Sequence, residues 1–164
     1  MVVAPMEASE AVANATILLA WHLRRAGEDD RVLELMERLV ERYGQPGVAG
    51  YRRTAPIAND GIAWIIDEAG RADEAIHIYD GVIQDLRDTS EPELRIHLAR
   101  ALTRKASLLS DKSLLEDRDA ICEEVVGRFA GTQDPKIAEN VAWAQTVLDE
   151  YSRRPRRRRR RKWR

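Results

Sequence analysis

The sequence repeats itself with a period of 43 residues. When the chain is compared with itself at that offset, Trp21 aligns with Trp64, and Gly27 aligns with Gly70. A fixed period of about 20 to 50 residues is typical of stacked supersecondary units, each of which buries its apolar face against its neighbours. The repeat therefore predicts a linear array of similar units. Three successive copies also align at Ala20, Ala63 and Ala106, at Leu39, Val82 and Val125, and at Tyr43, Leu86 and Phe129.

Apolar residues within each repeat follow the spacing of two α-helices. Gly70 stands between the two helices of the second repeat and is a typical helix stop, while Asp73 and Glu74 suit the first turn of the next helix. No segment shows the alternation expected of a strand. We therefore predict an all-α fold, an α-solenoid of about three antiparallel helix pairs plus a closing helix. In the second repeat the apolar faces are Ala58, Ile62, Ile66 and Ala69 on the first helix, and Ala75, Ile78, Tyr79, Val82 and Leu86 on the second.

Three positions predict where helices begin. Pro56 predicts a start near Thr54, because proline is tolerated in the first turn of a helix but not in its interior. The stretch SEPE at residues 90–93 is a capping box with proline in the first turn, and Asp134 before Pro135 is a second N-cap. The closing helix is therefore expected to start at Pro135.

Charge is distributed unevenly along the chain. The last twelve residues hold ten of the 27 Lys and Arg and none of the 28 Asp and Glu, so residues 1–152 carry 17 basic and 28 acidic side chains, a net charge of −11. A run of six consecutive arginines does not form a packed element by itself. We predict three regions: a flexible N-terminus over 1–8, the helical array over 9–152, and a disordered Arg-rich tail over 153–164.

The remaining composition argues against catalysis and against a membrane span. Cys122 is the single cysteine, which excludes an intramolecular disulfide and fits a reducing compartment. His22, His77 and His97 fall on three different predicted helices without the spacing of metal ligands. The longest uncharged run, residues 11–23, is too short to span a bilayer, and the N-terminus lacks the basic segment of a signal peptide. We predict a cytoplasmic protein that is not an enzyme and has no metal, cofactor or membrane span.

The second repeat resembles the tetratricopeptide repeat family through the stretch DEAGRADEAIHIYDGVI, residues 67–83. The resemblance is to long-period, bacterial-type tandem repeats and covers about residues 13–152. It implies a non-catalytic scaffold that holds a protein or peptide segment in a concave groove lined by the first helices. The family's small position in the first helix corresponds to Ala20, Ala63 and Ala106, its alanine in the second helix to Val32, Ala75 and Arg118, and its aromatic to Met36, Tyr79 and Cys122.

Helical geometry directs three tryptophans toward that groove. With about 100° per residue and Ile62 at the centre of the buried stripe, Trp64 lies about 200° away and Ile57 about 220° away. The first repeat and the closing helix repeat this arrangement. An alternative is that the tryptophans pack inside the stack. The candidate groove residues are Ile17, Trp21, Arg24, Ile57, Asp60, Trp64, Asp67, Glu68, Arg100 and Trp143.

The tail offers a second, different function. Phosphate contacts made by such a segment carry no sequence readout, so the alternative is a nucleic-acid-associated protein that binds RNA or DNA weakly and nonspecifically. A solvated tail, a tail folded onto the acidic body, an acidic protein or membrane partner, and a tail without function are left open, as is self-association through an uncapped terminal helix. The polyanion-binding candidates are Arg156, Arg157, Arg158, Arg159, Arg160, Arg161 and Lys162.

Overall fold

The structure, a computed structural model, describes residues 5–43 and 51–153, and these ranges form seven helices. No strand occurs in the described residues, so the all-α prediction is confirmed. None of the described helices is both long and apolar enough to cross a bilayer. The helices are α1 (Pro5–Arg25), α2 (Asp29–Tyr43), α3 (Tyr51–Glu68), α4 (Ala72–Leu86), α5 (Pro92–Asp111), α6 (Leu115–Phe129) and α7 (Pro135–Arg153).

The two ends of the chain differ in how far the described residues reach. Helix α1 begins at Pro5, inside the segment predicted to be flexible, and proline is favoured at the first position of a helix because its missing N–H needs no partner there. Helix α7 ends at Arg153. The predicted tail candidates, Arg156 to Lys162, lie outside the described residues.

The helices form two layers. Each helix packs against the next one along the chain, and α3 also contacts α1 and α5, while α5 also contacts α7. Within the described ranges, α2, α4 and α6 contact only their neighbours in sequence. The odd-numbered helices therefore make one contacting layer, and the even-numbered helices make a second layer against it.

The core is built from the residues that the 43-residue period aligns. Ala20, Ala63 and Ala106 are all fully buried, so the small position of each first helix lies at a close helix contact. Burial raises the pKa of the Cys122 thiol to about 11, which keeps this thiol protonated and unreactive at neutral pH. The other aligned and buried residues are Val32, Ala75 and Arg118, Met36, Tyr79 and Cys122, Leu39, Val82 and Val125, and Tyr43, Leu86 and Phe129.

Arg118 occupies the position at which the first two repeats have a small apolar residue. The side chain is buried and its guanidinium pairs with the neighbouring Asp119, with Nε donating to Oδ1 at 2.7 Å. A buried charge is tolerated when it is paired in this way. The third repeat thus keeps the backbone of the other two with an ion pair in place of apolar packing.

Three turns between paired helices share one left-handed conformation. Gly27 and Gly70 each have a φ of 77°, and Ser113, at the next 43-residue step, has a φ of 61°. The residue after each donates its N–H to a carbonyl five residues earlier, which is the bond of a Schellman cap. The prediction that Gly70 stops a helix is confirmed, and the third turn keeps that geometry without glycine. The bonds are Glu28 N to Leu23 O at 3.0 Å, Arg71 N to Ile66 O at 3.1 Å, and Leu114 N to Leu109 O at 2.9 Å.

Replacing Ser113 by glycine is expected to raise the free energy of unfolding by about 1 kcal/mol. The left-handed conformation costs an L-residue about 1–2 kcal/mol and costs glycine much less. Urea denaturation followed by circular dichroism measures the change. The matched control Gly70→Ser should lose a similar amount, and a Ser113→Gly protein no more stable than wild type would contradict the assigned strain.

Of two predicted helix starts, one is confirmed and the other is wrong. The Asp134 cap is confirmed, because its Oδ1 accepts the N–H of Lys136 at 2.8 Å and of Ile137 at 3.2 Å. The start near Thr54 is wrong, because α3 begins at Tyr51 and Pro56 lies inside it. Pro56 is buried, so the packing of this turn outweighs the backbone hydrogen bond that proline removes.

The capping box predicted at residues 90–93 does not form. Glu91 is the N-cap of α5 and makes no side-chain capping bond, although Pro92 is at the first helical position as expected. The hydroxyl of Thr89 instead accepts the N–H of Glu91 at 3.4 Å. The chain before α5 is therefore held by a local bond one residue earlier than the sequence pattern suggests.

Candidate binding surface on the odd-numbered helices

Three depressions lie in a row along the odd-numbered helices, and we call their combined surface the odd-helix face. Trp21 lines the first and second depressions, and Arg100 lines the second and third, so the three are continuous. The first is lined by Trp21, Arg24, Arg25, Asp29, Trp64 and Glu68. The second includes Ile17, Trp21, Arg53, Ile57, His97 and Arg100. The third includes Arg100, Thr103, Arg104, Lys136, Asn140 and Trp143.

Two tryptophans and three arginines form a cluster across α1, α3 and α5. The Trp21 and Trp64 rings have centroids 5.7 Å apart and planes inclined at 45°. The guanidinium carbons of Arg24 and Arg104 lie 3.9 and 5.4 Å from the centroid of Trp64, and that of Arg100 lies 5.6 Å from Trp21. Such aromatic and cation–π contacts each contribute about 0.5–1 kcal/mol. Both rings are half-buried, so they help to join the repeats and still present a surface to solvent.

Acidic residues at the edge of the first depression balance part of this positive charge. Arg24 donates to Glu68 at 2.6 Å and to Asp29 at 3.3 Å. The hydrogen bond from Arg24 holds the pKa of Glu68 below its ordinary value. At the neighbouring Asp67, partial burial raises the pKa, although the positive charge of Arg104 opposes this. The two ion pairs with Glu68 and Asp29 hold Arg24 in place over the Trp64 ring.

Asp60 forms a buried ionic contact between the second and third repeats. The side chain is 1% exposed, and its Oδ2 accepts hydrogen bonds from Nδ1 of His97 at 2.7 Å and from Nε of Arg100 at 2.9 Å. Burial by itself would raise the pKa of this carboxyl, but the bond from His97 and the charge and bonds of Arg100 outweigh it and lower the pKa. Asp60 therefore stays ionised inside the protein.

The 43-residue offset takes the residues of this contact to equivalent positions between the other neighbouring repeats, and we call these sets of positions joints. The first joint is apolar apart from one hydroxyl, the second is ionic, and the third is a neutral hydrogen bond in which Thr103 donates to Oδ1 of Asn140 at 2.6 Å. At the 43-residue offset the joints are Ile17 with Thr54 and Ile57, Asp60 with His97 and Arg100, and Thr103 with Asn140 and Trp143.

The structure gathers the predicted groove residues but buries some of them. Ile17, Ile57 and Asp60 are 8%, 4% and 1% exposed, so the prediction that Ile57 points away from the core is wrong. The physical reason is that α3 contacts four other helices, which leave little of its circumference free. Trp143, on the terminal α7, is 36% exposed. Asp67 is half-buried beside Glu68 at the end of α3.

Several residues of the odd-helix face were missed by sequence reasoning. Arg53, Ile96 and Lys136 line the depressions without having been predicted. The period itself carries the signal, since the 43-residue offset takes Arg53 to Ile96 and Glu93 to Lys136. Helical spacing gives a second signal, because Arg53 and Ile96 lie four residues before the predicted groove residues Ile57 and Arg100 and so share their helix faces.

The described residues contain no group of three or more His, Cys, Asp or Glu side chains that could hold a metal ion. The resemblance to tetratricopeptide repeats stays a prediction made from the residues. No protein-family model matches the chain, and no curated protein or solved structure shows significant similarity to it.

Proposed function

We propose that this chain is an α-solenoid of the tetratricopeptide kind that binds a protein or peptide segment along the odd-helix face, as a scaffold and not as an enzyme. The observation that carries the proposal is the row of three depressions, each of which holds a tryptophan beside an arginine. Tryptophan and arginine are the residues most enriched at the energetic centres of protein interfaces.

The arrangement of the depressions suits the side chains of a bound segment. Their volumes are about 360, 480 and 390 Å³ from the first to the third, at the small end of the range for ligand pockets. Because they are arranged in a row, an extended segment or a helix can place successive side chains into successive depressions. This is the behaviour expected of a recognition groove.

The helix contacts support the solenoid part of the proposal. The odd-numbered helices contact one another across repeats, and the shared buried positions and Schellman turns recur at 43-residue intervals. Units related in this way stack by repeated nearest-neighbour contacts, which is how repeat proteins build an extended binding surface.

Replacing Trp143 by alanine is expected to weaken binding of a partner segment by about 2 kcal/mol, or about thirtyfold, with little change in the melting temperature. The ring is 36% exposed, so its loss removes contact surface more than core packing. Crosslinking capture from a lysate with mass spectrometry identifies segments, and calorimetry with the synthetic segment then gives Kd for both proteins. The control Leu114→Ala, at a residue 46% exposed outside the odd-helix face, should bind as wild type does. Equal affinity of wild type and Trp143→Ala for every captured segment would refute the proposal.

The composition of the tail favours a second candidate function, nonspecific binding of RNA or DNA. Ten basic residues can engage about six to eight phosphates, which gives a slope of roughly −5 to −7 in a log–log plot of affinity against salt. We expect the full-length protein to bind more weakly than the isolated peptide of residues 153–164, because the acidic body competes for the tail. Fluorescence anisotropy on one labelled oligonucleotide across a salt series tests both statements. Tighter binding by the full-length chain would show that the body contributes a nucleic-acid surface.

A further inference from the structure

Helix α1 exposes a stripe of apolar side chains on the side opposite its core contacts. Val12, Leu18 and Leu19 are 52%, 62% and 50% exposed. Ala11 and Ala15, which lie between them around the helix axis, are exposed as well. At about 100° per residue these five residues span about 120° of the helix surface. We call them the α1 stripe. The opposite side of the helix is buried, so α1 is apolar on two faces, a pattern that belongs to helices covered on both sides.

The positions equivalent to the α1 stripe are covered in the second repeat. The 43-residue offset takes Val12, Ala15 and Leu19 to residues of α3 that are 2%, 0% and 8% exposed. It takes Leu18 to Gly61, where an added Cβ would lie 3.2 Å from Cε of Met36 on α2. In the part of the chain that the structure describes, α1 contacts only α2 and α3. The α1 stripe therefore lacks the cover that α1 and α2 give to α3.

We propose that the α1 stripe is a self-association surface on which α1 of a second copy packs antiparallel, forming a two-fold symmetric pair. The stripe is complementary to itself in shape. When two copies cross at Ala15, Leu18 and Leu19 of one copy lie opposite Ala11 and Val12 of the other, so larger side chains meet smaller ones at both ends. Alanine at the crossing point lets the two backbones approach closely.

The charges that flank the stripe favour the same orientation. The half of α1 before residue 11 contains Glu7 and Glu10 in its sequence, and its last turn contains His22 and Arg25. Antiparallel pairing brings the acidic half of each copy to the basic end of the other and opposes the two helix dipoles favourably. Parallel pairing would set like charges side by side. The stripe itself carries no charge, so the acidic character of the body does not oppose contact at its centre.

At the opposite end of the array, the described part of α7 exposes polar side chains at positions that are buried on α5. The exposed residues of α7 include Gln145, Thr146 and Asp149. The residues aligned with these three in α5 are Leu102, Thr103 and Ala106, all of which are buried. A polar outer face is what a closed end of a repeat array requires. Contact between the α1 stripe and α7 of another copy is therefore disfavoured, and the association closes at two copies.

Light scattering coupled to size-exclusion chromatography at micromolar protein tests the pair. Wild type is expected at twice the chain mass of 18.7 kDa, and the double variant Val12→Glu, Leu19→Glu at 18.7 kDa. Leu18 of the stripe also lines the second depression, but both substituted residues are exposed and lie outside the three depressions, so the variant should keep its helicity and its segment binding. The control Leu114→Glu changes another exposed leucine and should remain a pair.

The orientation is tested by disulfide trapping. Ala15→Cys should form a covalent pair under mild oxidation, because the two copies meet at this residue, whereas Leu114→Cys should not. Cys122 is buried and does not interfere. A monomeric wild type would leave the α1 stripe to some other occupant and overturn the proposal. A pair that survives the two glutamates, or an open series of larger assemblies, would overturn it as well.

Discussion

Replacing Asp60 by alanine is expected to lower the free energy of unfolding by about 3 kcal/mol. Removing one partner of a buried ion pair leaves the other partner's charge desolvated and typically costs about 3–5 kcal/mol. The lower end applies because Arg100 is 29% exposed and keeps part of its hydration, while His97 is 11% exposed. Urea denaturation of the two proteins at neutral pH measures the difference.

The other joints suggest a control that separates charge from packing. The first joint has Ile17, Thr54 and Ile57 at the equivalent positions, and all three are buried. Copying that set into the second joint, as Asp60→Ile, His97→Thr and Arg100→Ile, should recover most of the stability that Asp60→Ala loses. Well-packed apolar residues often replace a buried ion pair without loss. If the triple variant were as unstable as Asp60→Ala, the joints would not be interchangeable and their assigned equivalence would be wrong.

The difference in unfolding free energy between wild type and the triple variant should depend on pH, and the pKa of Asp60 gives the sign. The pKa of Asp60 is held below its ordinary value of 3.8, so its ionised form is favoured by folding. Its contribution is complete above that value and is lost as the pH falls through the folded-state pKa. The stability difference between wild type and the triple variant should therefore change against wild type as the pH falls below the ordinary pKa of an aspartate.

Replacing Ala63 by tryptophan is expected to lower the free energy of unfolding by about 3 kcal/mol or more. Ala63 is fully buried and shares its position with Ala20 and Ala106, which are buried to the same extent. Overpacking a close contact forces side chains off their preferred rotamers and costs about 1–3 kcal/mol for a few added methylene groups, and an indole is much larger. Thermal unfolding followed by circular dichroism measures the loss.

A matched alanine shows whether tryptophan itself is harmful. Ala142 is exposed on α7, so Ala142→Trp should melt close to wild type. A large loss in Ala142→Trp, or a normal melting temperature for Ala63→Trp, would mean that the small position does not mark a tight contact between helices.

Much of the fold follows from the sequence because the 43-residue period is a strong constraint. The offset aligns Tyr79 with Met36 and Cys122, and a position without a charged residue in any repeat is expected to be buried, as all three of these side chains are. The helix stop at Gly70 follows from local backbone conformation alone. Its equivalent Ser113 could not be recognised, because serine gives no local signal for the left-handed conformation that it adopts there.

Local helix signals failed where packing or a neighbouring side chain decided the outcome. Proline is disfavoured in the interior of a helix, yet Pro56 lies within α3 because this stretch is buried. Ser90 has the spacing of a capping box with Glu93, but Thr89 makes the bond that holds the start of α5. Sequence spacing identifies residues that are able to cap a helix, and geometry selects among them.

The candidate site was located in part. The phase of a helix indicates which side chains leave the core stripe, and Trp21, Trp64 and Trp143, which it indicates, line the depressions. It does not indicate how many other helices surround that helix, and so Ile57 and Asp60 were expected to be more exposed than they are. Partners of Asp60 come from α5, about 40 residues away, and only tertiary structure brings His97 and Arg100 to it.

The different chemistry of the three joints bears on misassembly, a hazard for every chain made of similar units. A slip by one whole repeat would keep the apolar positions aligned, since the period preserves them. It would, however, set Asp60 against Asn140 and Trp143 and leave a buried carboxylate without a cation. It would also set Ile17 against His97 and Arg100, which would lose their acidic partner. Both mismatches carry the cost of an unpaired charge in the interior, so the ionic joint selects the correct register of the repeats.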